Sequence, residues 1–132
     1  MFLPAHPRAA ILSLPYPMTH FVADDGERIH VKISGDGPPI VMLHGWTASH
    51  REWAPFLEQL TSDYRVYRWD ARGHGGHRLL CDTVPTVQRM ARDLRNLFDH
   101  YQLDQVIAVG HSLGALTLWQ YIMENGCRNL RK

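Results

Sequence analysis

The run Gly110-His111-Ser112-Leu113-Gly114 sets a hydroxyl between two glycines in the pattern G-x-S-x-G. A buried-strand pattern precedes it over residues 105–109 and an apolar helical stretch follows over 113–123, the context in which this short pattern becomes informative. A strand that turns directly into a helix forces its central residue to positive φ, and small neighbours let the two elements approach closely. Ser112 is thereby lifted clear of the sheet. Its hydroxyl lies at the N-terminus of the helix, where free N–H groups and the positive end of the dipole favour a developing oxyanion. The chemistry is nucleophilic attack by an alcohol. A serine ahead of an apolar helix is also an ordinary N-cap; Gly110, Gly114 and the preceding strand favour the nucleophile position.

A second loop, His44-Gly45-Trp46, directly follows the apolar run Ile40-Val41-Met42-Leu43. In a parallel sheet it reaches the same carboxyl edge as Ser112, where ligands of open α/β sheets bind. With Ser112 as nucleophile, the backbone N–H groups of Leu113 and Trp46 form an oxyanion hole. A third loop, Asp70-Ala71-Arg72-Gly73-His74-Gly75, follows the next strand at that edge. Three such loops in order are far more specific than one.

Carried by these three motifs over about Thr19 to Asn125, the chain resembles the N-terminal half of the α/β-hydrolase fold family, in its compact esterase and haloperoxidase-like branch. The resemblance implies Ser112 as nucleophile, Leu113 and Trp46 as oxyanion-hole amides, and His44 and Asp70 as organisers of loops. It implies no cofactor, and a small apolar ester as substrate, with Trp46 and Trp53 as candidates for the acyl pocket. It does not make His111 the base, since in that family the triad runs serine, acid, histidine along the chain. A cofactor-free haloperoxidase or dioxygenase on the same fold is the neighbouring alternative.

The chain also departs from that pattern. The 20 residues after Ser112 contain no His, no Asp and one acid, Glu124. The expectation is an incomplete hydrolase, cut after the helix that follows Ser112 and inactive alone, or else a non-catalytic remnant or interaction module. Gly76-His77 also replaces the Gly-x-Ser ending common after Arg72-Gly73-His74-Gly75. Nine histidines are many for 132 residues, but His44, His74, His77 and His111 read best as hydrogen-bonded turn residues. A base needs both reach and an orienting partner. No metal site is expected from them, since His74 and His77 share a loop rather than a helix face.

The elements that position these loops are legible from residue 18 onward. Thr19 to Ala23, the turn Asp24-Asp25-Gly26, and Ile29, Val31 and Ile33 alternating with polar residues predict a hairpin. Ser49 and Glu52 have capping-box spacing, and Trp53, Phe56, Leu57 and Leu60 then recur at helical intervals. Arg65 to Trp69 predicts a strand. Val87, Met90, Leu94, Leu97, Phe98 and Tyr101 make one helical stripe, with Arg89, Arg92, Asp93, Asn96 and Asp99 opposite as a solvated face. Gln105 to Val109 predicts the next strand, and the helix from Leu113 to Met123, apolar nearly all round, must be enclosed. Val106 to Met123 carries no Asp, Glu, Lys or Arg, yet His111, Ser112, Thr117 and Gln120 interrupt it, so strand-turn-helix is preferred to a membrane span. The predicted fold is α/β: an open, mostly parallel sheet with helices on both faces.

Composition agrees with one domain. Hydrophobic residues at 45%, charged at 20% and a net charge of +1 exclude disorder and give no footprint for nucleic acid or anionic membrane. Cys81 and Cys127 lack metal or scaffold spacing and are expected as free thiols in a cytoplasmic protein. Residues 1–17 hold half of the eight prolines and are expected as an irregular arm ahead of a partial domain over 18–132, with Met18 an alternative start. The apolar stretch over 9–14 is too short for a signal peptide. Ending after the last helix would leave one strand edge and part of that helix uncovered, which predicts self-association.

Overall fold

The computed structural model describes residues 17–82 and 84–132. The arm expected over residues 1–17 lies outside them apart from Pro17. Among the described residues five strands form one sheet in the order β1-β2-β4-β3-β5. They are β1 (Met18–Val22), β2 (Arg28–Ser34), β3 (Pro39–Leu43), β4 (Arg65–Asp70) and β5 (Ile107–Gly110). The hairpin is present: β1 and β2 pair antiparallel, with Thr19 opposite Val31 and Phe21 opposite Ile29. Its turn closes through Gly26 N–H donating to the Ala23 carbonyl at 2.9 Å. β2 opposes β4, whereas β3 runs parallel to both β4 and β5. Four strands therefore point one way and β2 alone the other.

Alternation along the strands divides two cores. Val41 and Leu43 of β3, Tyr67 and Trp69 of β4, and Ile29 and Val31 of β2 face the larger one. Met90, Leu94, Leu97 and Phe98 of α2 (Val87–His100) and Tyr121 of α3 (Leu113–Asn125) complete it. On the other face Ile40, Met42 and Val66 pack with Trp53, Leu57 and Leu60. This division is the two-sided cover that a parallel sheet requires.

Three expectations need correction. The helix predicted after Ser49 is a 3-10 helix over His50–Phe56, followed by a single α turn, α1 (Leu57–Leu60). Pro55 lies inside it, and a proline there both lacks the N–H of an α-helical bond and crowds the carbonyl four residues back. The Ser49 hydroxyl accepts from Arg51 N–H at 3.3 Å, while the Glu52 carboxylate turns away from the cap. On α2, Arg89 and Asp93 are buried rather than solvated, because they meet charges from two other segments. On α3, Gly114, Thr117 and Tyr121 are buried, but Leu116, Trp119 and Met123 are 57–68% exposed, so the helix is covered on one side only. Beyond α3, Leu130 forms an isolated parallel bridge with Val106, the residue before β5. Among the described residues no helix is long and apolar enough to cross a membrane.

Candidate active site

β5 runs into α3 through Ser112, whose backbone stands at φ 51° and ψ −111°. This is the strained bend anticipated from G-x-S-x-G, and close packing over-determines it. A Cβ on Gly110 would lie 2.6 Å from the Gly114 carbonyl carbon, and one on Gly114 would lie 2.0 Å from the Leu43 carbonyl oxygen. The turn is tied to β3 by His111 N–H donating to the Leu43 carbonyl at 3.0 Å. The Ser112 side chain makes no capping hydrogen bond and is exposed, so the N-cap role does not apply. Leu113, half-buried, opens α3 with its N–H at the positive end of the helix.

β3 delivers the second loop beside the first. The His44 ring is buried: its Nδ1–H donates to the Gly45 carbonyl at 2.7 Å and its Nε2 accepts from Ala71 N–H at 3.0 Å. Burial pushes the imidazole below its ordinary value, with the Gly45 hydrogen bond opposing. His44 therefore works as a neutral brace between two loops. Ala48 N–H also donates to the Gly45 carbonyl, at 3.2 Å. Held on that carbonyl, the trans Gly45–Trp46 peptide turns the Trp46 N–H to the opposite side. The indole of Trp46 is exposed and stands edge-on to His74.

Asp70, at the end of β4, is the hub of the third loop. Its buried carboxylate accepts from the His50 backbone N–H at 2.7 Å, from His50 Nδ1 at 2.9 Å and from His77 Nε2 at 2.9 Å. Burial alone would raise this carboxyl, but the His50 amide and the two rings outweigh it and hold it below the usual range. Gly75 (φ 68°) leaves the room: a Cβ there would come within 2.4 Å of the carboxylate. His30 stacks on His77 at 3.5 Å. Arg72 next leaves the loop for the core face, donating to both carboxylate oxygens of Asp93 at 2.7 Å and to Asp25 at 2.8 and 3.1 Å. Burial opposes the charge of Arg72, and the two carboxylates more than restore it.

Two site residues escaped the sequence reading. Glu52 stands at capping-box spacing from Ser49, but its Oε2 accepts from Gly45 N–H at 2.9 Å, and Oε1 lies 2.6 Å from His111 Nδ1. His50 had no motif around it, although it supplies two of the contacts to Asp70. Gly45 is the meeting point, since a Cβ there would lie 2.9 Å from the His111 ring and 3.5 Å from Ser112 Cβ. The structure thus gathers Gly45, Gly110, His111, Ser112 and Gly114, places the Trp46 and Leu113 segments on the two abutting loops, and sets His44 and Asp70 beneath. Among the described residues no imidazole is hydrogen-bonded to the Ser112 hydroxyl, and none of their side-chain clusters is suited to a metal ion. Trp46 and Trp53 part company. Trp53 lines an apolar groove of about 410 Å³ with Met42, Phe56 and Val109, and neither Trp46 nor Ser112 borders it.

The alpha/beta hydrolase fold family matches residues 38–129, which span all three loops. The chain belongs to the α/β-hydrolase fold family. Relatives are similar over most of this chain: a soluble epoxide hydrolase from Corynebacterium sp. (strain C12) is 32% identical over 106 residues, covering 80% of this chain and 37% of the relative. A non-heme haloperoxidase from Rhodococcus erythropolis is 33% identical over 123 residues, covering 87% and 42%. An esterase from Exiguobacterium antarcticum superposes with a TM-score of 0.80 at 31% identity, covering 85% of this chain and 42% of that one. The chain thus spans about two-fifths of the length of these α/β-hydrolase relatives.

Proposed function

We propose that Ser112 is the nucleophile of an esterase-type acyl transfer on a small apolar ester. Its Oγ attacks the carbonyl carbon and the carbonyl oxygen takes up the negative charge. When the carbonyl re-forms, the ester C–O bond breaks, the alcohol leaves with the hydroxyl proton, and the acyl group stays on Ser112. The Leu113 and Trp46 N–H groups receive the oxyanion, while His44 and Asp70 hold the loops that carry them. The observation that carries this reading is the backbone of Ser112 at φ 51°, ψ −111° with its hydroxyl exposed and committed to no cap. Likeness to an esterase of known structure supports the substrate class. Among the described residues no imidazole is hydrogen-bonded to the Ser112 hydroxyl, so acylation by these residues alone is expected to be slow, at the level that binding and the oxyanion donors supply.

A fluorophosphonate probe tests the proposal, because Oγ attack on phosphorus expels fluoride and leaves a stable adduct. Intact mass should show one adduct on the folded chain and none on Ser112→Ala. Absence of an adduct on folded protein would overturn the reading in favour of a non-catalytic interaction module.

A further inference from the structure

We propose that Glu52 is a positioning residue that holds the two amide-bearing loops, Gly45–Trp46 and His111–Leu113, at the separation a single oxyanion requires. The inference rests on the acyl-transfer reading of Ser112. One carboxylate spans both loops: Oε2 accepts from the N–H of Gly45, the residue before Trp46, and Oε1 pairs with the Nδ1 of His111, two residues before Leu113. The loops follow different strands, and His111 is 59 residues from Glu52 along the chain. No local pattern sets their spacing.

Glu52 is itself anchored at both sides. Its N–H donates to the Ser49 carbonyl at 3.0 Å, and the next residue, Trp53, is buried in the smaller core. The carboxylate is a quarter exposed while His111 is 62% exposed, so the surface ring is fixed by the partly sheltered acid. On the Trp46 side, the Gly45–Trp46 peptide is held at its oxygen by His44 and Ala48, and Glu52 fixes the preceding N–H. Three contacts therefore set the plane from which the Trp46 N–H projects. On the other side His111 packs where a Gly45 side chain would be, so a shift of the ring moves the backbone leading to Leu113. A carboxylate left bare near a developing oxyanion would oppose it. Here the Gly45 amide and the His111 ring both donate into that charge.

The test uses the ¹⁵N-labelled chain as wild type, Glu52→Ala, Glu52→Gln and the exposed control Glu58→Gln, read by amide hydrogen exchange and by fluorophosphonate labelling of Ser112. In Glu52→Ala, exchange at Gly45 and Ala48 and at His111 and Gly114, whose N–H groups are hydrogen-bonded within the two loops, should accelerate together, while Val41 and Ala108 within the sheet keep wild-type rates. Labelling should slow about 10- to 100-fold, the scale of a misplaced reacting geometry. Glu52→Gln keeps one acceptor oxygen and should fall between, and Glu58→Gln should match wild type. Acceleration confined to Gly45, or unchanged labelling in Glu52→Ala, would overturn the proposal. If wild type is not labelled, the nucleophile reading fails separately, and the exchange pattern still decides whether Glu52 couples the loops.

Discussion

The guanidinium of Arg72 meets the carboxylate of Asp93 through two hydrogen bonds of 2.7 Å, with both side chains fully buried. Arg72 belongs to the loop after β4 and Asp93 to α2. The same guanidinium reaches Asp25 in the β1–β2 turn, and Arg89 joins Asp93 to Asp24. The third loop is thus tied to a helix and to a hairpin by a charge network centred on the buried Arg72–Asp93 pair.

Removing one member should therefore cost far more than a surface pair would. Asp93→Ala leaves Arg72 and Arg89 without their shared partner, and a loss of about 3–5 kcal/mol is expected. Urea unfolding followed by circular dichroism measures it. A change below about 1 kcal/mol would place the pair with ordinary surface bridges.

Gly114→Ala should destabilise the chain even though alanine is the better helix former. The added carbon would meet the Leu43 carbonyl at 2.0 Å, so α3 must lift from β3, at about 1–3 kcal/mol. An unchanged melting temperature would contradict the close packing of helix and strand.

Stability should fall as the solution is acidified, in two stages. Burial lowers His44 and His30 from 6.5 in the folded chain. The unfolded chain then binds more protons below about pH 6.5, and stability declines from there toward the folded values. Asp70 is lowered from 3.8, so its contribution is present above that value and is lost as pH falls through the folded one. Urea midpoints between pH 8 and pH 3 should trace both stages, and His44→Gln should flatten the upper one. A midpoint constant between pH 7 and pH 5 would contradict the account of the buried imidazoles.

Leu116, Trp119 and Met123 form an exposed apolar strip on α3. Such a strip favours association, so sedimentation of this chain should show mass rising with concentration. The double variant Trp119→Lys, Met123→Lys should sediment as a monomer with its fold intact. Wild-type protein that stays monomeric at high concentration would show that the strip is tolerated in water.

Local pattern alone determined much of this protein. The alternation of Ile29, Val31 and Ile33, the apolar run before His44, and the glycines around Ser112 each report a backbone preference acting over a few residues, and each strand or bend appears within two residues of where the pattern puts it. Tertiary structure decided the rest, because the deciding partners are remote. Glu52 reads as a cap from Ser49 nearby, yet it turns to His111, 59 residues away. Arg89 and Asp93 read as a wet face by periodicity, but Arg72, Asp24 and Asp25 arrive from 21 to 65 residues distant and bury them. The composition of α3 calls for cover all round, while the elements available cover one side. Periodicity states which face of an element is apolar; only the assembled chain states what that face, or its polar opposite, will meet.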